Sequence, residues 1–222
     1  MKYHTIKKII FDIDGVLIKW EEIYNNTIHK TLDELNFSYT DELCNEIWNL
    51  QTNYEIDIMY YNDKIFLDYI NSKLDINLPP EYISIWRKNI QNCVPKNIDI
   101  DLIKTLEYLS NKYELVALTN WFADDQIERL KKINIIKYFK QVYGGEKYCK
   151  PKKEAFIQTF GEHQPNECAM IGDNFDMDII GAKNAGIKYL FWIDSFNVKD
   201  KVDKKLKGIN IIKNANDLKN IL

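Results

Sequence analysis

Carboxylates, a hydroxyl, an amide and an ammonium group follow the predicted β-strands of this 222-residue chain. Asp12 and Asp14 come at the end of the first strand, and their spacing of two points both side chains to the same side of an extended chain. The full set of candidates is Asp12, Asp14, Thr119, Asn120, Lys150, Asp173 and Asp178. Because ligands of an open parallel sheet bind beyond the carboxyl ends of its strands, we expect these side chains to share one site.

Several carboxylates in one small site repel one another unless a positive charge offsets them. A divalent cation does so, and oxygen ligands with few nitrogen or sulfur donors favour Mg²⁺ over zinc. A carboxylate beside the cation can attack phosphorus and form an acyl phosphate. Lys150 and Thr119 would then stabilise the charge on the phosphoryl oxygens. We therefore expect Mg²⁺ as a cofactor, with Asp12 kept ionised by the cation and by Lys150.

Alternating strands and helices must position these residues. Short apolar runs predict strands at residues 7–12, 114–120, 141–144, 167–173, 186–194 and 209–213. From residue 95 onwards, amphipathic helical segments separate these strands. One of these predicted helices covers residues 177–185, directly after the strand that ends at Asp173. This alternation predicts an α/β fold with a doubly wound, Rossmann-like parallel sheet that helices cover on both faces.

A long helical segment interrupts the alternation after the first strand. No glycine occurs between Gly15 and Gly144, and apolar residues recur at helical spacing over residues 21–92. Asp41 and Asn62 are the expected N-caps of two of these helices. We expect residues 19–94 to form an inserted all-helical cap domain, and residues 1–18 and 95–222 to form the core domain.

The composition is that of a globular protein. The chain has 30 basic and 33 acidic residues, so no nucleic acid polymer is an expected partner. No apolar run approaches the ~18 residues of a membrane span, and the N-terminal segment lacks the pattern of a secretory signal. The four cysteines are too far apart for a CxxC pair, so we expect reduced thiols in a cytoplasmic protein. Nothing in the sequence predicts an oligomeric state.

Four segments resemble the motifs of the haloacid dehalogenase superfamily, in the usual order. They are FDIDGVL at 11–17, LTN at 118–120, KP at 150–151 and GDNFDMDIIGAKNAG at 172–186. The helical insertion after the first motif resembles the C1-type cap of that family. The resemblance covers the whole chain, and it implies a Rossmann-like core with a phosphatase-like site.

The resemblance also implies a role for each candidate residue. Asp12 would be the nucleophile, and Asp14 would be the general acid for the leaving group and then the base for the attacking water. The metal ligands would be the carboxylates of Asp12 and Asp173 and the backbone carbonyl of Asp14.

The other candidates would support the phosphoryl group. Thr119 and Asn120 would bind it in one loop, and Lys150 would neutralise its charge and that of the nucleophile. Asp178 would orient Lys150 or a metal-bound water.

Asp14 favours hydrolysis of a phosphate ester over dehalogenation, because an alkoxide needs a proton to leave and a halide does not. We expect a Mg²⁺-dependent phosphatase that acts on a small phosphorylated metabolite through an aspartyl phosphate. A phosphomutase of the β-phosphoglucomutase kind and a non-catalytic binding module on the same fold are the alternatives. The intact set of acidic residues and Lys150 argues against the binding module.

Substrate choice is expected to depend on the cap and on the segment after the first motif. The candidates for that role are Lys19, Trp20, Tyr24, Tyr54, Met59, Tyr60, Tyr61 and Arg87. Aromatic rings could stack on a sugar or a base, although residues of these types more often lie in the core or on the surface of such a domain. With few basic residues in the cap, a second phosphate group has no obvious partner.

Overall fold

The computed structural model describes residues 3–19, 23–97, 99–195, 197 and 206–222. Six strands form one parallel sheet, in the order β3-β2-β1-β4-β5-β6. The strands are β1 (Lys8–Phe11), β2 (Glu114–Leu118), β3 (Gln141–Tyr143), β4 (Cys168–Gly172), β5 (Tyr189–Ile193) and β6 (Ile209–Ile212). The predicted doubly wound parallel sheet is confirmed.

In the described part of the chain, helices that alternate with the strands, and one helix after β6, cover both faces of the sheet. They are α5 (Ile100–Ser110), α6 (Ala123–Lys132), α7 (Lys153–Phe160), α8 (Gly181–Asn184) and α9 (Leu218–Ile221). The central strand β1 shows the consequence, since Ile9 and Phe11 belong to one apolar cluster and Ile10 belongs to the cluster on the other face. A strand buried on both faces reads as a continuous apolar run, which is why the sequence predicted it.

Four helices lie between β1 and α5 in the residues that the structure describes, and we call them the α1–α4 unit. They are α1 (Ile23–Glu34), α2 (Asp41–Asp57), α3 (Asp63–Leu74) and α4 (Tyr82–Gln91). Helix α1 packs against α2 and α4, and α3 packs against the same two helices. Asn62 caps α3 as predicted, but Thr40 rather than Asp41 caps α2, because the extended Thr40 accepts a hydrogen bond from Leu43 N at 3.3 Å.

Two aromatic residues after β2 enter the apolar cluster of the α1–α4 unit. Trp121 and Phe122 pack among Tyr61, Phe66 and Trp86, with ring centroids 5.5 Å apart for Trp121 and Trp86. The cluster is therefore continuous across the junction between the α1–α4 unit and the sheet.

An ion pair between a partly exposed arginine and a buried carboxylate strengthens the same junction. Arg87 on α4 donates from Nε to Asp125 Oδ2 on α6 at 2.9 Å, and Asp125 is fully buried. Asp125 also accepts hydrogen bonds from Trp121 Nε1 at 2.9 Å and from Gln91 Nε2 at 2.8 Å. Arg87 also forms an ion pair with the half-exposed Asp63 at 3.0 Å. This candidate for substrate choice is therefore already paired with two carboxylates.

Three further observations concern sequence predictions. Trp20 and the side chain of Tyr24 lie outside the described residues. Within the described ranges, no helix has both the length and the apolar character needed to cross a bilayer. The four cysteines are all described, and none of them forms a disulfide.

We predict that Arg87→Met lowers the free energy of unfolding by about 3 kcal/mol, because it leaves the Asp125 carboxylate buried without its cation. Urea denaturation followed by tryptophan fluorescence measures the change. Asp63→Asn is the matched control, because it removes the exposed partner only and should cost less than about 1 kcal/mol. Equal effects of the two variants would contradict this account of the junction.

Candidate active site

Three buried carboxylates lie together beyond the carboxyl ends of β1 and β4. These two strands flank the point at which the strand order reverses, which is where open α/β sheets bind ligands. Asp12 follows β1, Asp173 follows β4, and Asp178 lies one turn further on. Oxygens of these three carboxylates lie within 4.8 Å of one another, so the structure brings these predicted residues together.

Lys150 is buried between two of these carboxylates. Its Nζ lies 2.8 Å from Asp12 Oδ1 and 2.6 Å from Asp178 Oδ1. Burial lowers the pKa of the Lys150 ammonium, but the two carboxylates outweigh burial and raise the pKa above its ordinary value. Asn120 fixes the backbone of this lysine, since its Oδ1 accepts from Lys150 N at 2.7 Å and its Nδ2 donates to Lys150 O at 3.1 Å.

Asp12 lies in a buried site with one neighbouring ammonium and two neighbouring carboxylates. Burial and the neighbouring Asp178 raise the pKa of the Asp12 carboxyl, Lys150 lowers it, and Asp173 raises it further. The net direction is upward because burial and the two neighbouring carboxylates together outweigh the one ammonium. Both donors to Asp12, Lys150 Nζ and Ile13 N at 2.8 Å, reach Oδ1. An incoming group can therefore approach Oδ2.

A wide helical turn brings Asp178 to Lys150. The sequence predicted an ordinary helix from residue 177, whereas the structure has a π-helical segment, Phe175–Ile180, that leads into α8. Asp178 Oδ2 accepts from Asn174 N at 3.0 Å. A β-carbon at Gly172 would lie 2.2 Å from the Asp178 β-carbon, so glycine is needed for this approach. Segments of π-helix are frequent at functional sites.

Thr119 follows β2 and presents its hydroxyl to the same region. The Thr119 Oγ1 accepts from Trp121 N at 3.2 Å and from Gln126 Nε2 at 3.3 Å. A hydroxyl that accepts two hydrogen bonds still has its own hydrogen to donate.

The Asp14 side chain contacts α6. Its Oδ1 accepts from Arg129 Nη1 at 2.7 Å, and its Oδ2 accepts from Gln126 Nε2 at 2.7 Å. Arg129 is buried and also donates from Nε to Cys93 O at 2.8 Å. Gly15, at a φ of 83°, permits the turn that follows Asp14. Both carboxylate oxygens of Asp14 are thus held by one helix.

Sequence reasoning assigned no role to Gln126 or Arg129. They are three residues apart on a helix that starts directly after the Thr119 loop, so they share one helix face. Arg129 is also one of only two arginines among the 30 basic residues. The signal available in the sequence was one of the two arginines, placed on the first helix after the LTN segment.

All seven predicted site residues line one cavity of about 140 Å³. The other residues around it include Asn174, Met177 and Trp121 from the core, and the α1–α4 unit closes the opposite side. The side chains of that unit that line the cavity are Trp48, Gln51, Glu55, Trp86 and Ile90.

The specificity candidates that the structure describes do not line this cavity. Tyr54 and Tyr61 are buried in the cluster of the α1–α4 unit, and Arg87 is held by Asp125. The residues of α2 that face the cavity are Trp48, Gln51 and Glu55, at positions i, i+3 and i+7 of one helix face. Two polar residues on that otherwise apolar face were the sequence signal for them.

Comparison with known proteins agrees with this architecture. The family model "Haloacid dehalogenase-like hydrolase" matches residues 9–192. N-acylneuraminate-9-phosphatase of Rattus norvegicus is 34% identical over 101 residues, which cover 44% of this chain and 41% of that protein. Phosphoglycolate phosphatase of Aquifex aeolicus is 27% identical over 193 residues, which cover 82% of this chain and 83% of that protein.

Among solved structures, the HAD-hydrolase YfnB from Bacillus subtilis superposes with a TM-score of 0.74 at 18% identity, covering 98% of both chains. That likeness concerns the fold. The alignment with the N-acylneuraminate-9-phosphatase spans about two fifths of its length. The family match covers most of this chain, and the chain therefore belongs to the haloacid dehalogenase-like hydrolases.

Proposed function

We propose that this chain is a Mg²⁺-dependent phosphatase that hydrolyses a small phosphate monoester through an aspartyl phosphate on Asp12. The observation that carries the proposal is the buried Lys150 ammonium, which contacts Asp12 in the same cavity as Asp14 and Thr119. The relatives that are named as phosphatases support hydrolysis of a phosphate ester.

In the first step, the Asp12 carboxylate attacks phosphorus and the ester P–O bond breaks. The alkoxide that leaves takes a proton from Asp14, whose carboxyl lines the same cavity. Arg129 and Gln126 hold both oxygens of the ionised Asp14, so they act as positioning residues for the second step, in which Asp14 accepts a proton.

In the second step, Asp14 takes a proton from water, and the resulting hydroxide attacks phosphorus. The bond between phosphorus and the Asp12 oxygen breaks, which releases inorganic phosphate and restores the carboxylate. Asp14 then carries the proton for the next substrate, so the cycle is balanced in atoms and charge.

The phosphoryl oxygens need donors while charge develops on them. Lys150 has three N–H donors, of which two are directed to Asp12 and Asp178, and the third can reach a phosphoryl oxygen. The Thr119 hydroxyl supplies a second donor. Asn120 uses its side chain to hold the Lys150 backbone, and we propose that it positions the lysine rather than binding phosphate directly.

The carboxylates fit a magnesium site by their chemistry. Asp12, Asp173 and Asp178 offer only oxygen ligands. Their combined negative charge is larger than the single positive charge of the Lys150 ammonium among them. Asp12, Asp173 and the Asp14 carbonyl would hold the ion, since both oxygens of Asp178 already accept hydrogen bonds, Oδ1 from Lys150 and Oδ2 from Asn174 N. When bound, Mg²⁺ neutralises the dianionic phosphoryl group and polarises it towards attack.

We further propose that residues 19–94 act as a C1-type cap over a core of residues 1–18 and 95–222. The side chains of α2 and α4 close the cavity with Trp48, Trp86 and Ile90, which would exclude bulk water during phosphoryl transfer. A cavity of about 140 Å³ suits a small phosphorylated metabolite. We propose a cytoplasmic location for such a reaction.

We predict that Asp12→Asn lowers turnover of an aryl phosphate by about 10³-fold or more, because an amide is a far weaker nucleophile than a carboxylate. The nearly isosteric change should leave the circular dichroism spectrum unchanged. Asp176→Asn removes an exposed carboxylate from the same strand-end region and should retain activity. Wild-type rates in Asp12→Asn would rule out the proposed nucleophile.

We predict that Asp14→Asn separates the two steps. Rapid-quench kinetics should show a burst of aryl alcohol from an activated aryl phosphate, followed by a stall, because no base activates water. Alkyl esters need the proton in the first step, so their first step should slow by about 10²–10⁴-fold. Equal slowing for both classes of ester, with no burst, would contradict the acid–base role.

We predict that EDTA abolishes turnover and that added Mg²⁺ restores it, because the uncompensated carboxylates repel a dianionic phosphate. Asp173→Asn should raise the Mg²⁺ concentration needed for half-maximal activity, whereas the exposed control Asp176→Asn should leave that concentration unchanged. Full activity after removal of divalent cations would contradict the metal requirement.

A further inference from the structure

Glu55 is a carboxylate that the α1–α4 unit places on the wall of the phosphoryl-transfer cavity. It lies on α2, across the cavity from the sheet, with Trp48 and Gln51 on the same helix face. The steps proposed above do not use it. Its position facing the core makes it a candidate to contact the leaving group of the substrate.

Three donors hold the Glu55 carboxylate in place. Its Oε1 accepts from Gln51 Nε2 at 2.6 Å and from the Tyr61 hydroxyl at 3.0 Å, while its Oε2 accepts from Asn120 Nδ2 at 3.0 Å. Burial raises the pKa of the Glu55 carboxyl, and the hydrogen bonds from Asn120 and Tyr61 oppose that rise. Since each carboxylate oxygen can accept two hydrogen bonds, Oε2 retains room for one more donor.

Acidic residues outnumber basic residues around the cavity. Of the lining residues within the described ranges, Lys150 alone is cationic, and it already contacts Asp12 and Asp178. Arg87 and Arg129, the two arginines of the chain, are occupied by Asp125 and by Asp14. A second anionic group on the substrate would meet Glu55 without a cation to balance it.

We propose that Glu55 makes this site selective for phosphate monoesters whose leaving group is uncharged and carries hydroxyl groups, such as polyols or sugars. A hydroxyl of the leaving group donates to Oε2, and a carboxylate or second phosphate at the same place is repelled. This inference rests on the proposed phosphatase function and names its substrate class.

The rest of the wall fits the same class. Trp48, Trp86 and Trp121 supply indole rings, which pack well against the C–H faces of a polyol or sugar. Gln51 adds an amide beside Glu55. The chain is therefore expected to differ from its phosphoglycolate phosphatase relative, whose named substrate carries a carboxylate.

The test uses two compounds that differ at one carbon. Glycerol 3-phosphate ends in a hydroxymethyl group where 3-phosphoglycerate has a carboxylate. Each is measured as a competitive inhibitor of aryl phosphate hydrolysis by the Mg²⁺-loaded full chain. We expect the inhibition constant of glycerol 3-phosphate to be lower by at least about tenfold, since two like charges at close range in a partly buried site cost that much or more.

Glu55→Gln, which keeps the shape of the side chain, should shrink this ratio by strengthening inhibition by 3-phosphoglycerate. Glu46→Gln removes an exposed carboxylate from the same helix and should leave the ratio unchanged. A purely structural role of Glu55 would weaken both inhibitors alike and preserve the ratio, which would overturn the proposal. A wild-type preference for 3-phosphoglycerate, equal inhibition, or no inhibition by either compound would also overturn it.

Failure of the substrate class and failure of the proposed function give different results. If the chain hydrolyses the aryl phosphate but fails the inhibition test, only the selectivity assigned to Glu55 is wrong. If it hydrolyses no aryl phosphate in Mg²⁺, the phosphatase proposal is wrong, and the inference that rests on it is wrong as well.

Discussion

The salt bridges of one buried ammonium hold the parts of the candidate site together. Lys150 lies between Asp12 and Asp178, so it joins the loop after β3 to the ends of β1 and β4. Removing three charged groups from water is costly unless they pair closely, which constrains the loops that carry them. The π-helical turn and the close approach of Gly172 to Asp178 place the Asp178 carboxylate beside this ammonium. The surplus negative charge of the cluster is the physical reason to propose a divalent cation.

The segment that follows β2 links the site to the α1–α4 unit. Thr119 and Asn120 face the cavity, and Asn120 bonds both Lys150 and Glu55. Trp121 enters the apolar cluster of the α1–α4 unit, so the same few residues line the candidate site and hold the α1–α4 unit to the sheet. A shift of the α1–α4 unit would therefore move the proposed phosphoryl-binding loop after β2.

Much of the fold was predictable because it depends on local pattern. Buried parallel strands read as apolar runs, and the motifs at their ends predicted which residues would meet. The contacts of Asp14 with Gln126 and Arg129 were not predictable, since they depend on how α6 is oriented against β1. Glu55 was missed for the same reason, because helix packing decides which face of α2 meets the cavity. The catalytic roles of the site residues stay predictions until they are tested.

The central claim is that Asp12 becomes covalently phosphorylated during turnover. The most direct measurement is acid quench of the Asp14→Asn chain after mixing with an aryl phosphate, followed by peptide mass mapping. The account predicts the added mass of one phosphoryl group on the peptide that contains Asp12, and on no other peptide. Aryl alcohol release without that added mass, or a phosphoryl group on another residue, would contradict it.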